Sequence, residues 1–163
     1  MVIHIRHKGV FDQKKLVQAV LDWFSAGDYE HYFYLTKSKS TDFGAEEEYG
    51  IRGWYNETEY HRVNVDVYLH IYDANVVEVE ENSEKKQMIK GAIHITVDGK
   101  IEKDFAGQFN QSTFTKKLQE FMESKVIKQR YDVIWEDDMH YRLQGLANYL
   151  KDFLNFNTVG KYF

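Results

Sequence analysis

The stretch from Tyr60 to Tyr72 constrains this chain more than any other. Its odd positions are His61, Val63, Val65, Val67, Leu69 and Ile71, whereas its even positions include Arg62, Asn64, Asp66 and His70. Side chains of an extended strand alternate between two faces, so this pattern describes a strand with one buried and one wet face, the signature of an antiparallel sheet. Weaker alternation runs through Val2–His7, Glu30–Lys37, Glu46–Asn56, Val76–Glu80, Met88–Thr96 and Lys100–Phe109. Together these segments predict about seven strands.

Turn chemistry supports the same class. Proline is absent from the 163 residues, where average usage near 5% would give roughly eight, so turns fall to Gly, Asn, Asp and Ser. Asp98-Gly99 reads as a hairpin turn. A two-residue loop there would pair Ile95 with Glu102 and mix the faces. A three-residue Val97-Asp98-Gly99 loop with a left-handed Gly99 instead pairs Ile95 with Ile101 and Gly91 with Phe105. Its outer face then carries Thr96 beside Lys100 and His94 beside Glu102.

Helical spacing brackets the sheet region. Leu16, Val20, Trp23 and Phe24 mark a short helix after the first strand, with Asp12 as N-cap, Phe11 and Leu16 as a hydrophobic staple, and Gly27 at its end. Phe114, Leu118, Phe121 and Met122 mark a second helix. A longer stripe of Tyr131, Trp135, Met139, Leu143, Leu146, Leu150 and Phe153 predicts a C-terminal helix of roughly 28 residues, about 40 Å long, packed on the sheet. With no repeat, low-complexity tract or linker, residues 1–163 read as one domain of the α+β class: a curved antiparallel sheet packed on a long C-terminal helix.

This element order resembles the helix-grip superfamily of START, Bet v 1 and polyketide-cyclase-like domains. The resemblance implies a strongly curved sheet wrapping the final helix, with a small apolar ligand carried between them. Residues suited to line such a space include Tyr49, Tyr55, Phe105, Trp135 and Met139, and buried tyrosine hydroxyls there would need partners.

Composition narrows the chemistry. The absence of cysteine excludes disulfides, thiolate metal sites and cysteine nucleophiles. The net charge of -5 disfavours nucleic acid, and the basic clusters Lys37-Ser38-Lys39 and Lys125–Arg130 are small. There is no apolar run of about 18 residues to span a membrane. Met1 leads straight into an alternating strand rather than a signal peptide, so a cytoplasmic location is expected, and the acceptor patterns at Asn56-Glu57-Thr58 and Asn110-Gln111-Ser112 then have no consequence.

No catalytic motif is present: neither a nucleophile elbow nor a phosphate-binding glycine loop, and no His-Glu-x-x-His. Glu136, Asp137 and His140 share one side of the final helix, but without a second ligating helix they read as a solvated face, and His4 and His7 point to opposite sides of a strand. No metal or cofactor is expected. The carboxylate runs Glu46-Glu47-Glu48 and Glu78–Glu84 read as exposed edges or loops. What remains is aromatic surface. Tyr32, Tyr34, Trp54 and Tyr68 occupy solvent-facing strand positions, and such rings are enriched in interface cores. The sequence therefore reads as a non-catalytic binding or assembly domain for a protein partner or identical subunits, with the helix-grip carrier as the alternative. The Val159–Phe163 tail reads as loosely docked, with a short hook presented to another subunit as the alternative.

Overall fold

A computed structural model describes residues 1–81, 83–107, 113–122 and 132–157. Along the chain these form β1 (Val2–Phe11), α1 (Gln13–Ala26), β2 (Glu30–Thr41), β3 (Gly44–Asn56), β4 (His61–Glu81), β5 (Glu84–Lys103), α2 (Thr113–Met122) and α3 (Asp132–Asn157). The α+β class and the long C-terminal helix are as expected. Tyr131, Lys125–Arg130, Asn110-Gln111-Ser112 and Val159–Phe163 fall outside the described residues, as do the side chains of Phe114, Leu118 and Met122.

Among the described residues the sheet has five antiparallel strands in the order β1-β5-β4-β3-β2, where about seven were expected. Two expected breaks are absent, and each has a physical cause. Asp98-Gly99 makes no turn. It lies inside β5, where Asp98 pairs with Val2 on one side and Asp66 on the other. Gly99 is fastened to β1 by its amide, which donates to the Met1 carbonyl, and by its own carbonyl, which accepts from the Met1 ammonium at 2.9 Å. The proposed pairs Ile95/Ile101, Thr96/Lys100 and His94/Glu102 therefore do not form. Thr96 pairs with His4 and Tyr68, Lys100 with Asn64, and Glu102 with Arg62.

The second missing break lies between Tyr72 and Val76. β4 runs straight through it, but with a bulge: the register shifts between Tyr72 and Asn75, and Asp73 has φ 54°. One extra residue reverses the facing of everything beyond it. Ile71 and Ala74 are consequently both buried, although their positions differ in parity. Alternation restarts out of phase, and one strand looks like two.

The caps of α1 match the sequence reading. The Asp12 side chain accepts from the Lys15 amide at 3.1 Å, Phe11 and Leu16 are both fully buried, and the Gly27 amide closes onto the Trp23 and Phe24 carbonyls. Burial opposes ionisation of Asp12, but the Lys15 amide and the Lys86 ammonium 3.1 Å away outweigh it and hold its carboxyl below the usual range.

The core lies between one face of the sheet and the two helices α1 and α3. Val63, Val65, Val67, Leu69, Ile71, Ile93, Ile95 and Val97 of the sheet meet Leu16, Val20 and Phe24 of α1 and Leu143, Leu146, Leu150 and Leu154 of α3 in one buried cluster. Each such side chain contributes about 1.5–3 kcal/mol when fully buried. The apolar stripe of α3 is thus committed to its own sheet.

Candidate functional site: the open face of the sheet

Residues directly opposite one another across an antiparallel pair share a face. The face turned away from the helices can therefore be read from the register. One row runs Arg6, His94, His70, Glu48, Lys37. The next contains His4, Thr96, Tyr68 and Gly50, and a third contains Val2, Asp98, Asp66, Arg52 and Tyr32. Lys100, Asn64, Trp54 and Glu30 form a fourth.

Tyr32, Tyr34, Trp54 and Tyr68, the residues expected to meet a partner, all stand on this surface. β2 is an edge strand, and its Tyr32, Phe33 and Tyr34 are each 44% exposed. Tyr34 lies in a bulge between Phe33 and Leu35, and its ring covers Gly50, where a β-carbon would come within 2.4 Å of Tyr34 Cζ. Arg52 sits 5.5 Å from the centre of the same ring and donates two hydrogen bonds, of 2.6 and 2.8 Å, to Asp66. Trp54 meets Tyr32 edge-on at 5.6 Å.

Towards the middle of the sheet, polar chemistry takes over. Tyr68 donates to Glu48 at 2.7 Å, and Lys37 lies 3.5 Å from the same carboxylate. The Tyr68 hydroxyl and then Lys37 hold the Glu48 carboxyl below its ordinary range, with burial opposing them. Burial first, then the hydrogen bond to Glu48, pushes Tyr68 up to about 12. His70 Nε2 lies 2.8 Å from Glu46 Oε1, and the His70 ring is 5.5 Å from that of Tyr72. His4 and His94 are ring neighbours at 5.3 Å, and burial together with the nearby Arg6, His4 and His70 lowers the pKa of His94.

Among the described residues, the five expected to line a ligand space are found in several separate contacts. Tyr49 belongs to the N-terminal end of α1, where its hydroxyl accepts from Gln13 at 2.7 Å and donates to Glu47 at 2.8 Å; burial and Glu47 push it up to about 12. Tyr55 lies far along β3, edge-on to Tyr29 at 4.8 Å. Trp135 packs on His61 at 4.3 Å, Met139 lies beside Gly99, and Phe105 falls past the end of β5, its ring 4.2 Å from the Arg62 guanidinium. Glu136, Asp137 and His140 are exposed on α3.

The sequence reading set Glu46-Glu47-Glu48 at an exposed edge or loop, whereas β3 is an interior strand, and it did not join them to His70. Glu46 and Glu48 stand at alternate positions of β3, and His70 lies on the polar side of β4. Only the register, which sets Glu48 directly opposite His70, brings them together. Their alternation placed each on the wet face, and the length of the Glu57–Tyr60 loop between the strands was the remaining signal for the pairing. No family model matches the chain, and no curated protein or solved structure does so either.

Proposed function

We propose that this chain is a non-catalytic assembly domain whose open sheet face meets the same face of a second copy. The observation that carries this reading is the division of the sheet: α1 and α3 cover one side, while Tyr32, Tyr34, Trp54, Tyr68 and Tyr72 are set out on the other. Charge favours an identical partner. Arg52 with Asp66, Lys37 with Glu48 and Lys100 with Asp98 interleave both signs across the face. A two-fold pairing can match such a surface to itself, whereas a phosphate backbone or an anionic bilayer would call for one sign.

Size agrees. Five strands about 4.8 Å apart, sharing around ten rungs of about 3.4 Å, offer roughly 800 Å², the area that each partner contributes to a standard interface. We place assembly ahead of ligand carriage because Val65, Val67, Leu69, Ile93, Ile95, Val97, Leu143, Leu146 and Leu150 are all wholly inaccessible between sheet and α3. Packing of that kind offers a carried ligand no room beside them. Light scattering on a size-exclusion column tests the reading. A mass of twice 19.4 kDa that reverts to the monomer in Tyr34→Glu/Trp54→Glu supports it. A monomer at concentrations up to about 0.5 mM would overturn it, since any weaker association is below useful affinity.

A further inference from the structure

We propose that Glu46, Glu48 and His70 form a binding site for a borderline divalent cation of the Zn²⁺ or Co²⁺ class. One ligating atom from each of the three lies within 4.8 Å of the others. An ion bound at about 2.0–2.2 Å holds neighbouring ligand atoms roughly 3–3.5 Å apart, so the trio closes on one by small side-chain rotations.

Three features point to a cation rather than to three unrelated surface groups. The donor set is mixed: an imidazole nitrogen joins two carboxylates, a combination suited to borderline metals and less so to Ca²⁺ or Mg²⁺, which prefer oxygen alone. The carboxylates also converge. Glu46 and Glu48 project from the same face of one strand; Glu46 reaches His70 at 2.8 Å, and Glu48, opposite His70 in the ladder, is held beside them by Tyr68 and by Lys37, whose ammonium a bound cation would displace. Finally, the donors stand on rigid backbone and one is oriented from outside the trio. β3 and β4 are interior strands, and Tyr68 donates to the Glu48 oxygen at 2.7 Å, the kind of outer contact that fixes a ligating carboxylate. The bulge at Asp73 lies beside this rung, where the β3–β4 register shifts between Ala45 and Glu47, so Glu46 is set over the extra residue of β4 and reaches His70.

With three protein ligands, the ion keeps open coordination positions directed out from the open face of the sheet, towards solvent in the monomer and towards the partner copy in the assembly. The inference stands independently of assembly, since its readout is metal bound per chain.

The test is titration of chelator-treated, full-length protein with CoCl₂ and ZnCl₂, followed by calorimetry and by the visible absorption of bound Co²⁺. The expected result is one ion per chain. His70→Gln and Glu48→Gln should each weaken binding about 10- to 100-fold, while His140→Gln should leave it unchanged. Zn²⁺ should also shift the imidazole resonances of His70 in the wild-type protein, a readout that does not depend on any variant folding. Absence of a stoichiometric ion, His70→Gln binding as tightly as wild type, or Zn²⁺ shifts confined to other histidines would overturn the proposal.

Discussion

Leu143 of α3 rests directly on Gly99 of β5. A β-carbon at Gly99 would come within 2.5 Å of Leu143 Cδ1 and 3.0 Å of Met139 Sδ. Leu143 is fully buried and has little room to retreat. The glycine is there so that the helix can approach the strand closely. Gly99→Ala should cost about 1–3 kcal/mol through overpacking. Gly99→Asn separates this account from a turn: a left-handed turn position tolerates asparagine, whereas here it should destabilise more than alanine. Denaturant unfolding of both variants reads the difference.

The helix itself is held by its stripe. Leu146 and Leu150 are fully buried against the sheet, and Leu146→Ala should cost about 2–5 kcal/mol, the transfer term plus the cavity left behind. By contrast, Tyr141→Ala, at a position 74% exposed, should change stability by less than about 0.5 kcal/mol. Similar losses at the two positions would contradict the packing described.

On the open face, the Arg52–Asp66 pair has good two-bond geometry but is 43% and 25% exposed. Solvent screening should keep its coupling below about 1 kcal/mol in a double-mutant cycle, falling further in high salt. Its role is to hold Arg52 beneath the Tyr34 ring, not to stabilise the fold.

Acid should weaken the protein through two histidines. Burial lowers the pKa of His7, and burial with the neighbouring Arg6, His4 and His70 lowers that of His94, both from an ordinary value of 6.5. Below that value the unfolded chain binds protons that the folded chain resists. The contribution of these groups is therefore complete above pH 6.5 and is lost as pH falls through their depressed folded values. Melting temperature should decline from pH 7.5 to pH 5, and the decline should flatten in His7→Leu/His94→Gln. An unchanged slope in that variant would assign the acid sensitivity elsewhere. Asp12 and Glu48, whose pKa values are also lowered, support the fold at more acidic pH and lose their contribution only below the ordinary carboxylate range.

Local chemistry was legible in the sequence, and long-range register was not. Asp12, Phe11, Leu16 and Gly27 bound α1 through contacts within one or two turns, and Met139, Leu143, Leu146 and Leu150 pointed to the buried side of α3 by spacing alone. Asp98-Gly99 misled because a glycine admitting a close neighbour looks in sequence like a glycine making a turn, and the neighbour, Leu143, lies more than forty positions away. The bulge at Asp73 reversed the facing of β4 and concealed one strand as two. The open-face aromatics could be found because outward facing needs only alternation. The trio Glu46, Glu48 and His70 needs the β3–β4 register as well, and that depends on how residues 57–60 close the hairpin. There, the Thr58 hydroxyl accepts from the Tyr60 and His61 amides.

Which face carries the function is tested most directly by following backbone amide resonances as the protein is diluted. Assembly through the open face requires concentration-dependent shifts at His4, Tyr34, Arg52, Trp54, Tyr68 and Thr96, with Ile134, Tyr141 and Tyr149 of α3 unmoved. Resonances that stay fixed throughout the dilution, or that move along α3 while those of the sheet stay still, would contradict it.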